Sequence, residues 1–244
     1  MLLTVSIVLG FKNEITSRIT GLTTHIAVGN INVNPGNEPD PITIGADTLN
    51  AIRNLPFVKR VQRTAFKNGL LKTQEENEGI LIKGVEKDYD FDFIKQHLVE
   101  GNLPDLESAE ASHDILISKS LALRMKLKTG DKVQVHFIAQ HAVYDSTEHA
   151  TIIKSEQRSR KLKICGIFKT DFVDFDDKLS LVDLRQVQQL NFWNDNMVGK
   201  YEIKVQNFDD LNENLESVQE LLGYNYSVNS VKELYYNIFL WLDK

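Results

Sequence analysis

The residues best able to do chemistry are few and scattered along the 244-residue chain. Cys165 is the single cysteine, so the chain can form neither an internal disulfide nor a multi-cysteine metal site. Its neighbours alternate with apolar residues and no local pattern supplies an activating histidine, which predicts a buried and inert thiol. His141 and His149 share one segment with Asp145 and Glu148, and this grouping leaves a soluble metal-dependent hydrolase as an alternative. Their spacing, however, matches no zinc-ligand pattern.

Two acidic runs could offer oxygen ligands to calcium. Both lack the glycine and the terminal glutamate of an EF-hand loop, so solvated turns between strands are the favoured interpretation. No nucleophile elbow, phosphate-binding loop, dinucleotide fingerprint or zinc-binding helix motif occurs in the chain. The sequence therefore predicts no catalytic residue, cofactor or metal ion. The runs consist of Asp88, Asp90 and Asp92, and of Asp171, Asp174, Asp176 and Asp177.

A basic cluster stands out in an otherwise acidic protein. The chain has 28 Lys and Arg against 34 Asp and Glu, a net charge of −6, so no overall positive field attracts nucleic acid. A local patch that orients a protein partner is the more credible role. With 42% hydrophobic residues the composition is that of a globular protein. The cluster comprises Lys154, Arg158, Arg160, Lys161 and Lys163.

Hydrophobic periodicity predicts short strands and helices in alternation, which is typical of an α+β protein. One face of the first helix carries Phe11, Ile15 and Ile19, and Ser118 is a plausible N-cap of a helix in the middle of the chain. Residues 139–160 are polar and are predicted to form a long loop between two paired strands. Strands are predicted at 22–28, 58–66, 80–85, 115–117, 132–138, 161–168, 179–182, 201–205 and 226–228, and helices at 47–52, 91–98, 120–127, 183–190 and 208–222.

Both ends of the chain are apolar. Residues 1–11 are apolar at nearly every position and lack the basic start and the cleavage site of a signal peptide. Residues 235–244 are rich in Tyr and Trp beside a terminal lysine, a composition typical of a membrane–water boundary. The alternative is a buried first element and a C-terminal helix packed on the body. Together the ends favour a domain whose two termini lead into a bilayer.

The order of several short motifs resembles the lipoprotein-releasing (Lol-type) family of ABC transporter permeases. The first match is Ile7 to Ile15 followed by Arg18 to Ile26, which is similar to the segment after the first transmembrane helix of that family, with Thr24 where the family often has proline. Later matches follow in family order over almost the whole chain: Ile82-Lys83-Gly84-Val85, Gly101-Asn102-Leu103, Ile115-Leu116-Ile117-Ser118 with Leu121-Ala122, Thr129-Gly130-Asp131-Lys132-Val133 and Cys165-Gly166-Ile167-Phe168.

This resemblance implies an α+β fold in which a β-α-β Porter-like subdomain carries an inserted, β-rich Sabre-like subdomain. Residues 1–20 would be the end of a transmembrane helix and a membrane-proximal helix, and residues 235–244 would lead to the next transmembrane helix. The Porter-like part would be 21–87 with 200–234, and the Sabre-like part 88–199.

The resemblance also implies a function. The chain would be the periplasmic domain of an inner-membrane permease that releases lipoproteins and hands them to a periplasmic carrier, by binding and by transmitting motion. It would not be an enzyme, because ATP hydrolysis belongs to a separate cytoplasmic subunit. A second copy of the permease, or a relative, would complete the transporter. The alternative within the superfamily is the domain of a MacB-like exporter or of an FtsX-like cell-division permease.

In some members of the family a hairpin loop, the hook, captures the carrier. By position this loop is residues 139–160, which depart from the hook pattern because they are longer and contain no proline. The resemblance thus implies a partner-binding loop with six candidate residues: Tyr144, Ile152, Ile153, Lys154, Arg158 and Arg160.

Overall fold

The computed structural model describes residues 2–31, 40–73, 75–145 and 150–242. Within these ranges it describes the backbone but not the side chains of residues 2–9, 140–145 and 150–153. The helices are α1 (Leu2–Leu22), α2 (Ala46–Arg53), α3 (Asp92–Gln96), α4 (Lys119–Arg124), α5 (Val173–Asp176), α6 (Leu184–Leu190), α7 (Leu211–Leu222), α8 (Val231–Leu234) and α9 (Tyr236–Leu242). The strands are β1 (Ile26–Gly29), β2 (Val58–Lys72), β3 (Asn77–Val85), β4 (Leu98–Gly101), β5 (Asp114–Ser118), β6 (Lys132–Asp145), β7 (Ala150–Phe168), β8 (Leu179–Asp183), β9 (Lys200–Val205) and β10 (Ser227–Ser230).

The first helix follows the predicted apolar face. Ile19 and Leu22 are buried at its C-terminal end, while Phe11 stays half-exposed nearer its start. The prediction of a helix through Phe11, Ile15 and Ile19 is confirmed. Across the described ranges, no helix has both the length and the hydropathy that crossing a membrane requires.

One part of the structure is a four-stranded antiparallel arrangement in the order β10-β1-β9-β2. Its two inner strands are buried on both faces, since Ile26 to Val28 of β1 and Tyr201 to Val205 of β9 are buried without interruption. Helix α7 covers them with Leu211 and Val218, which are buried because they lie seven residues apart on one helix face.

The other part is a closed ring of six strands, β2-β3-β8-β5-β7-β6, in which β6 returns to pair with β2. Strands β3 and β8 run parallel, as do β5 and β7. The ring encloses apolar side chains that include Leu71, Ile82 and Ile115, each fully buried or nearly so. Strand β2 belongs to both parts because its 15 residues pair first with β9 and then with β3.

Residues 139–160 do not form the predicted loop. Strand β6 continues to Asp145 and β7 begins at Ala150, and the register pairs Ala139 with Glu156. The prediction failed because it looked for an apolar side on each strand, whereas residues 154–157 are all exposed. A hairpin that leaves the body has no covered face, so its strands lose the alternation from which strands are recognised.

Most other element predictions are confirmed within a few residues. The Oγ of Ser118 accepts a hydrogen bond from the Leu121 amide at 3.0 Å, which makes Ser118 the N-cap of α4. The helix predicted at 91–98 is shorter, since Leu98 pairs with Phe168 and begins β4. The mixture of sheet and helix confirms the α+β class. The division into 21–87 with 200–234 and 88–199 stays a prediction.

Candidate functional site

The hairpin formed by β6 and β7 carries the six candidate partner-binding residues. The side chains of Tyr144, Ile152 and Ile153 lie outside the described residues, although the backbone places Tyr144 opposite Thr151 and Ile152 opposite Val143. Lys154 is exposed and lies opposite His141. Of these four residues Lys154 is the one whose side chain is described, and it is exposed to solvent. A binding role for these residues stays a prediction.

The two arginines at the base of the hairpin contact the body of the protein. Arg158 donates a hydrogen bond to the Gln189 carbonyl at 2.7 Å, and its guanidinium lies 4.3 Å from the centroid of the Phe192 ring. Arg160 donates from Nε to Oε1 of Gln186 at 3.0 Å. Burial and the nearby Arg158 lower the pKa of Arg160. Both arginines thus anchor the hairpin to α6 and to the residues that follow it.

A second cluster of polar residues, which the sequence patterns did not single out, lies at the C-terminal end of α1. Lys83 on β3 is completely buried, and its Nζ donates to the carbonyl of Leu22 at 2.8 Å and to Oε2 of Glu202 at 2.8 Å. Tyr89 accepts from the same Nζ at 3.2 Å and donates to the Leu22 carbonyl at 3.4 Å. We call Lys83, Tyr89, Glu202 and the Leu22 carbonyl the junction cluster. It ties the end of α1 to β3, to β9 and to the residues before α3.

The electrostatics of the junction cluster favour a charged pair with a neutral phenol. Burial opposes the charge on Lys83, but its interactions with Glu202 and Tyr89 together outweigh burial, and the pKa of the ammonium is raised. Burial raises the pKa of Tyr89, so its hydroxyl keeps its proton and can donate. The Lys83 ammonium also lies 4.9 Å from the centroid of the Tyr89 ring. A lysine in an apolar strand, Ile80 to Val85, was the available signal for this site.

Further contacts hold α1 and the turn after it. Arg18 donates to the Thr170 carbonyl at 2.8 Å, and Thr170 itself is held because its amide donates to Oδ1 of Asp176 at 2.9 Å. Thr24 donates from Oγ1 to the Ile203 carbonyl at 2.7 Å. Asp176 is therefore a buried acceptor and not part of a solvated turn. In the other acidic run Asp90 accepts from Lys204 at 2.9 Å, and although its partial burial opposes ionisation, the pKa of Asp90 is lowered by this lysine.

The two helices at the ends of the chain meet through aromatic rings. Phe11 on α1 and Trp241 on α9 pack edge to face, with ring centroids 5.8 Å apart. Both rings are nevertheless half-exposed or more, at 50% and 61%. The two segments that the sequence predicts to lead into a bilayer thus contact each other through Phe11 and Trp241.

The described residues offer little for catalysis. Burial and Asp114 raise the pKa of Cys165 to about 12, and its Sγ lies 3.4 Å from the Ile115 carbonyl, so the sulfur remains a thiol. Over the described ranges, no three His, Cys, Asp or Glu side chains come together as metal ligands. Glu148 and His149 lie outside the described residues, as does the side chain of His141.

Comparison with known proteins gives a consistent result. The family model for the MacB-like periplasmic core domain matches residues 1–221. The crystal structure of the extracellular domain of the noncanonic ABC-type transporter YknZ from Gram-positive bacteria superposes with a TM-score of 0.54 at 16% identity, covering 84% of this chain and 99% of that one. The periplasmic region of MacB from Actinobacillus actinomycetemcomitans gives 0.52 at 12% identity, covering 91% and 95%. No curated protein matches significantly. These likenesses confirm the α+β fold with Porter-like and Sabre-like parts.

Proposed function

Because the chain belongs to the MacB-like periplasmic core domain family, the periplasmic part of ABC transporter permeases, we propose that it relays motion from membrane helices to an outer partner. It acts on the periplasmic side of the cell inner membrane and performs no covalent chemistry. A cytoplasmic ATPase subunit supplies the energy, and the domain moves as a rigid body.

The junction cluster is the observation that carries this proposal. Motion of a helix reaches the rest of a domain only if the helix end is held to more than one element. The Leu22 carbonyl at the end of α1 accepts from Lys83, whose partner Glu202 lies on β9, so α1 is held to both the ring and the four-stranded arrangement. A buried, hydrogen-bonded charge pair is costly to disrupt by removal of one partner, and it therefore resists displacement of the elements it joins.

The test separates coupling from folding. Lys83→Met alone leaves the Glu202 carboxylate buried and unpaired, which we expect to cost about 3–5 kcal/mol of stability. The double variant K83M/E202M removes both charges and the hydrogen bond to Leu22, and we expect it to fold with nearly unchanged stability, since apolar replacement of a buried pair is often neutral. In the complete transporter this double variant should keep ATP hydrolysis and lose most of the substrate release that hydrolysis drives.

The matched control is the exposed ion pair between Lys126 and Glu75, whose atoms are also 2.8 Å apart. The variant K126M/E75M should leave both hydrolysis and release unchanged, because an exposed pair contributes little. If K83M/E202M folds and still releases substrate at the wild-type rate per ATP, the relay does not run through the junction cluster.

We further propose that the transporter releases lipoproteins to a periplasmic carrier, in partnership with a second permease copy or a relative. The sequence matches to the Lol-type family support this choice, and the β6–β7 hairpin is suited to docking because residues 154–157 of β7 are all exposed. A MacB-like exporter or an FtsX-like cell-division permease is the alternative.

The structure allows a cleaner test of the hairpin than deletion of residues 139–160, which would also remove the anchors Arg158 and Arg160. Replacing residues 140–155 by Asn-Gly joins the paired residues Ala139 and Glu156 through a two-residue turn. Capture of a purified lipoprotein carrier should be lost, while the melting temperature changes little. Undiminished capture by the shortened hairpin would remove its proposed role, and absence of capture by the wild type would favour the exporter or cell-division alternative.

A further inference from the structure

The outer face of three neighbouring ring strands, β2, β6 and β7, is rich in lysine. The register places Lys72 of β2 beside Gln134 of β6, which on its other side lies opposite Lys161 of β7. Lys132 and Lys163 pair with each other in the next row of the sheet. All four lysines are exposed. We call the basic sheet face these four lysines together with two exposed apolar residues, Leu70 and Ile138.

The side chains of this face point away from the core because the residues of a strand alternate between its two sides. Val133 and Val135 of β6 are buried inside the ring, as are Leu71 of β2 and Leu162 of β7. Their neighbours along each strand therefore point to the outside. The exposure of these neighbours shows that no described residue covers this side of the three strands.

The structure divides the basic cluster that the sequence contains. Arg158 and Arg160 point to α6 and donate hydrogen bonds there. Lys161 and Lys163 point to the other side of β7, where the lysines of β2 and β6 join them. Within the described part of the chain, none of the four ammonium groups of the basic sheet face forms an ion pair. Their charges are therefore available to a partner.

Carboxylates lie at the edge of the face and not within it. They belong to Glu76 in the turn after β2, Asp114 on β5 and Asp131 before β6. Two of them hold backbone amides, since Asp114 accepts from the Asp105 amide at 3.1 Å and Asp131 accepts from the Lys128 amide at 2.9 Å. The outward residues of β2, β6 and β7 in the described rows of the face include no carboxylate. Such a concentration of one charge favours a partner of the opposite charge.

The arrangement of the lysines does not serve folding. Lys132 and Lys163 lie directly opposite each other, and like charges in such a pair destabilise a sheet. A carboxylate bound between them would relieve this repulsion. Residues that oppose the stability of their own element are expected at functional sites.

Exposed apolar side chains continue the face towards the hairpin. Leu70 lies opposite His136, and Ile138 follows two residues later on the same side of β6. Their side chains are 45% and 66% exposed. Successive rows are about 7 Å apart, because two residues of a strand span that distance. The face thus presents two rows with lysines, then one row with Leu70 and one with Ile138.

We propose that the basic sheet face binds an extended acidic segment of a partner protein. In this segment two carboxylates at alternate positions precede two apolar residues at alternate positions. An extended chain repeats on one side about every 7 Å, so its carboxylates meet the two lysine rows and its apolar side chains meet Leu70 and Ile138. The described residues of the face offer no aromatic ring on which a nucleic acid base could stack, and the apolar rows suit a protein. This site goes beyond the proposed relay and lies apart from the outer end of the hairpin.

The test is an NMR titration of the whole chain with a synthetic peptide, Glu-Thr-Glu-Thr-Leu-Thr-Leu, blocked at both ends. At low ionic strength the peptide should bind saturably and shift the amide signals of β6 and β7. A peptide with glutamine in place of glutamate should bind at least about fivefold more weakly, because it loses the ion pairs. A peptide with threonine in place of leucine should also bind at least about fivefold more weakly, because it buries less apolar surface. Added salt should weaken binding of the acidic peptide, since it screens exposed charges.

A pair of matched variants separates binding from folding. K132Q/K161Q removes two charges of the face and should weaken peptide binding about fivefold or more. Its melting temperature should stay the same or rise, because the repulsion between Lys132 and Lys163 is removed. K119Q/K178Q removes two charges from exposed positions on α4 and before β8, and it should bind like the wild type.

The proposal is overturned if the wild type shows no saturable shifts or if K132Q/K161Q binds as tightly as the wild type. It is also overturned if the peptide without leucine binds equally well, because the face would then attract any polyanion. The variant in which Asn-Gly replaces residues 140–155 keeps the basic sheet face and should bind the peptide normally. Failure of this site is therefore distinguishable from failure of carrier docking by the hairpin.

Discussion

His25 lies between the end of α1 and the start of β1, and neighbouring groups contact its ring on more than one side. The Val205 amide donates to its Nδ1, and the Phe208 ring packs edge to face at 5.4 Å. Burial, together with the positive charges of Lys204 and Lys59, lowers the pKa of His25 from 6.5 to about 4. The imidazole is therefore neutral in the folded protein at pH 7, and acid must protonate it against its surroundings.

This environment predicts a loss of stability in mild acid. Below pH 6.5 the unfolded chain binds a proton at His25 that the folded chain takes up only near pH 4, so the free energy of unfolding falls as the pH drops through this window. At 1.36 kcal/mol per pKa unit the full effect is up to about 3 kcal/mol. Asparagine keeps an acceptor for the Val205 amide and does not titrate.

Urea unfolding of the wild type and His25→Asn at pH 7.0 and 4.5 measures the effect. The wild type should lose more stability between the two pH values than the variant, by about 2 kcal/mol. Other titrating groups, including Asp90 and Glu86, are common to both proteins and cancel in the difference. Equal losses would mean that His25 titrates normally in the folded state.

Residues with local partners could be predicted from the sequence, and residues with distant partners could not. Ser118 accepts a hydrogen bond from the amide of Leu121, three residues along the chain, and its position alone identifies it as the N-cap of α4. Lys83 is bound to groups 61 and 119 residues distant, so its apolar strand marks it as unusual but does not show which groups it binds. The alternation around Glu202 likewise marks it as a solvent-facing residue, because sequence patterns contain no information about which strand will lie against it.

At the scale of elements, α1 packs closely on α3 through a glycine. A Cβ atom added at Gly21 would clash with the ring of Phe93, whereas Gly10 on the same helix has open space around it. Arg18 lies between these positions and bonds to the Thr170 carbonyl. The C-terminal half of α1 is therefore fixed by direct packing as well as by the junction cluster.

Substituting alanine at the two glycines gives opposite predictions. Gly21→Ala forces α1 away from Phe93 and should lower the free energy of unfolding by about 1–3 kcal/mol, as overpacking does. Gly10→Ala adds a better helix former without a clash and should raise stability by about 0.5–1 kcal/mol. Thermal unfolding of both variants is the measurement. A stabilised Gly21→Ala would show that α1 does not pack against α3 as described.

The strands predicted best are those with one face on the core. The inner part of β6, 132–138, alternates because Val133, Val135 and Phe137 are buried in the ring. The outer part of the same strand continues the hydrogen-bonded register without a core beneath it, so its pattern is that of a loop. The hydrophobic pattern of a strand therefore shows whether one of its faces is buried, and it does not show whether the segment forms a strand.

At the scale of the whole molecule, β2 joins the two parts of the structure. Its early residues pair with β9 of the four-stranded arrangement, and Ala65 to Lys72 pair with β3 of the ring. The predicted inserted subdomain, 88–199, contains neither β2 nor β3. A ring made without them would leave β6 and β8 unpaired on one side and would lack core residues such as Leu71 and Ile82.

These pairings predict which fragment folds alone. A fragment of residues 64–199 contains the ring-forming part of β2 with the other five ring strands and α6, so we expect a cooperative urea transition and dispersed NMR signals. A fragment of residues 88–199 should remain unfolded or aggregate, because exposed edges of β6 and β8 invite pairing between chains. If the shorter fragment unfolds as cooperatively as the longer one, residues 88–199 fold without β2 and β3, and pairing with β2 is not needed for their stability. If only the longer fragment folds, β2 is an essential strand of the ring. Motion delivered to β2 must then reach the ring directly, because this strand belongs both to the ring and to the four-stranded arrangement.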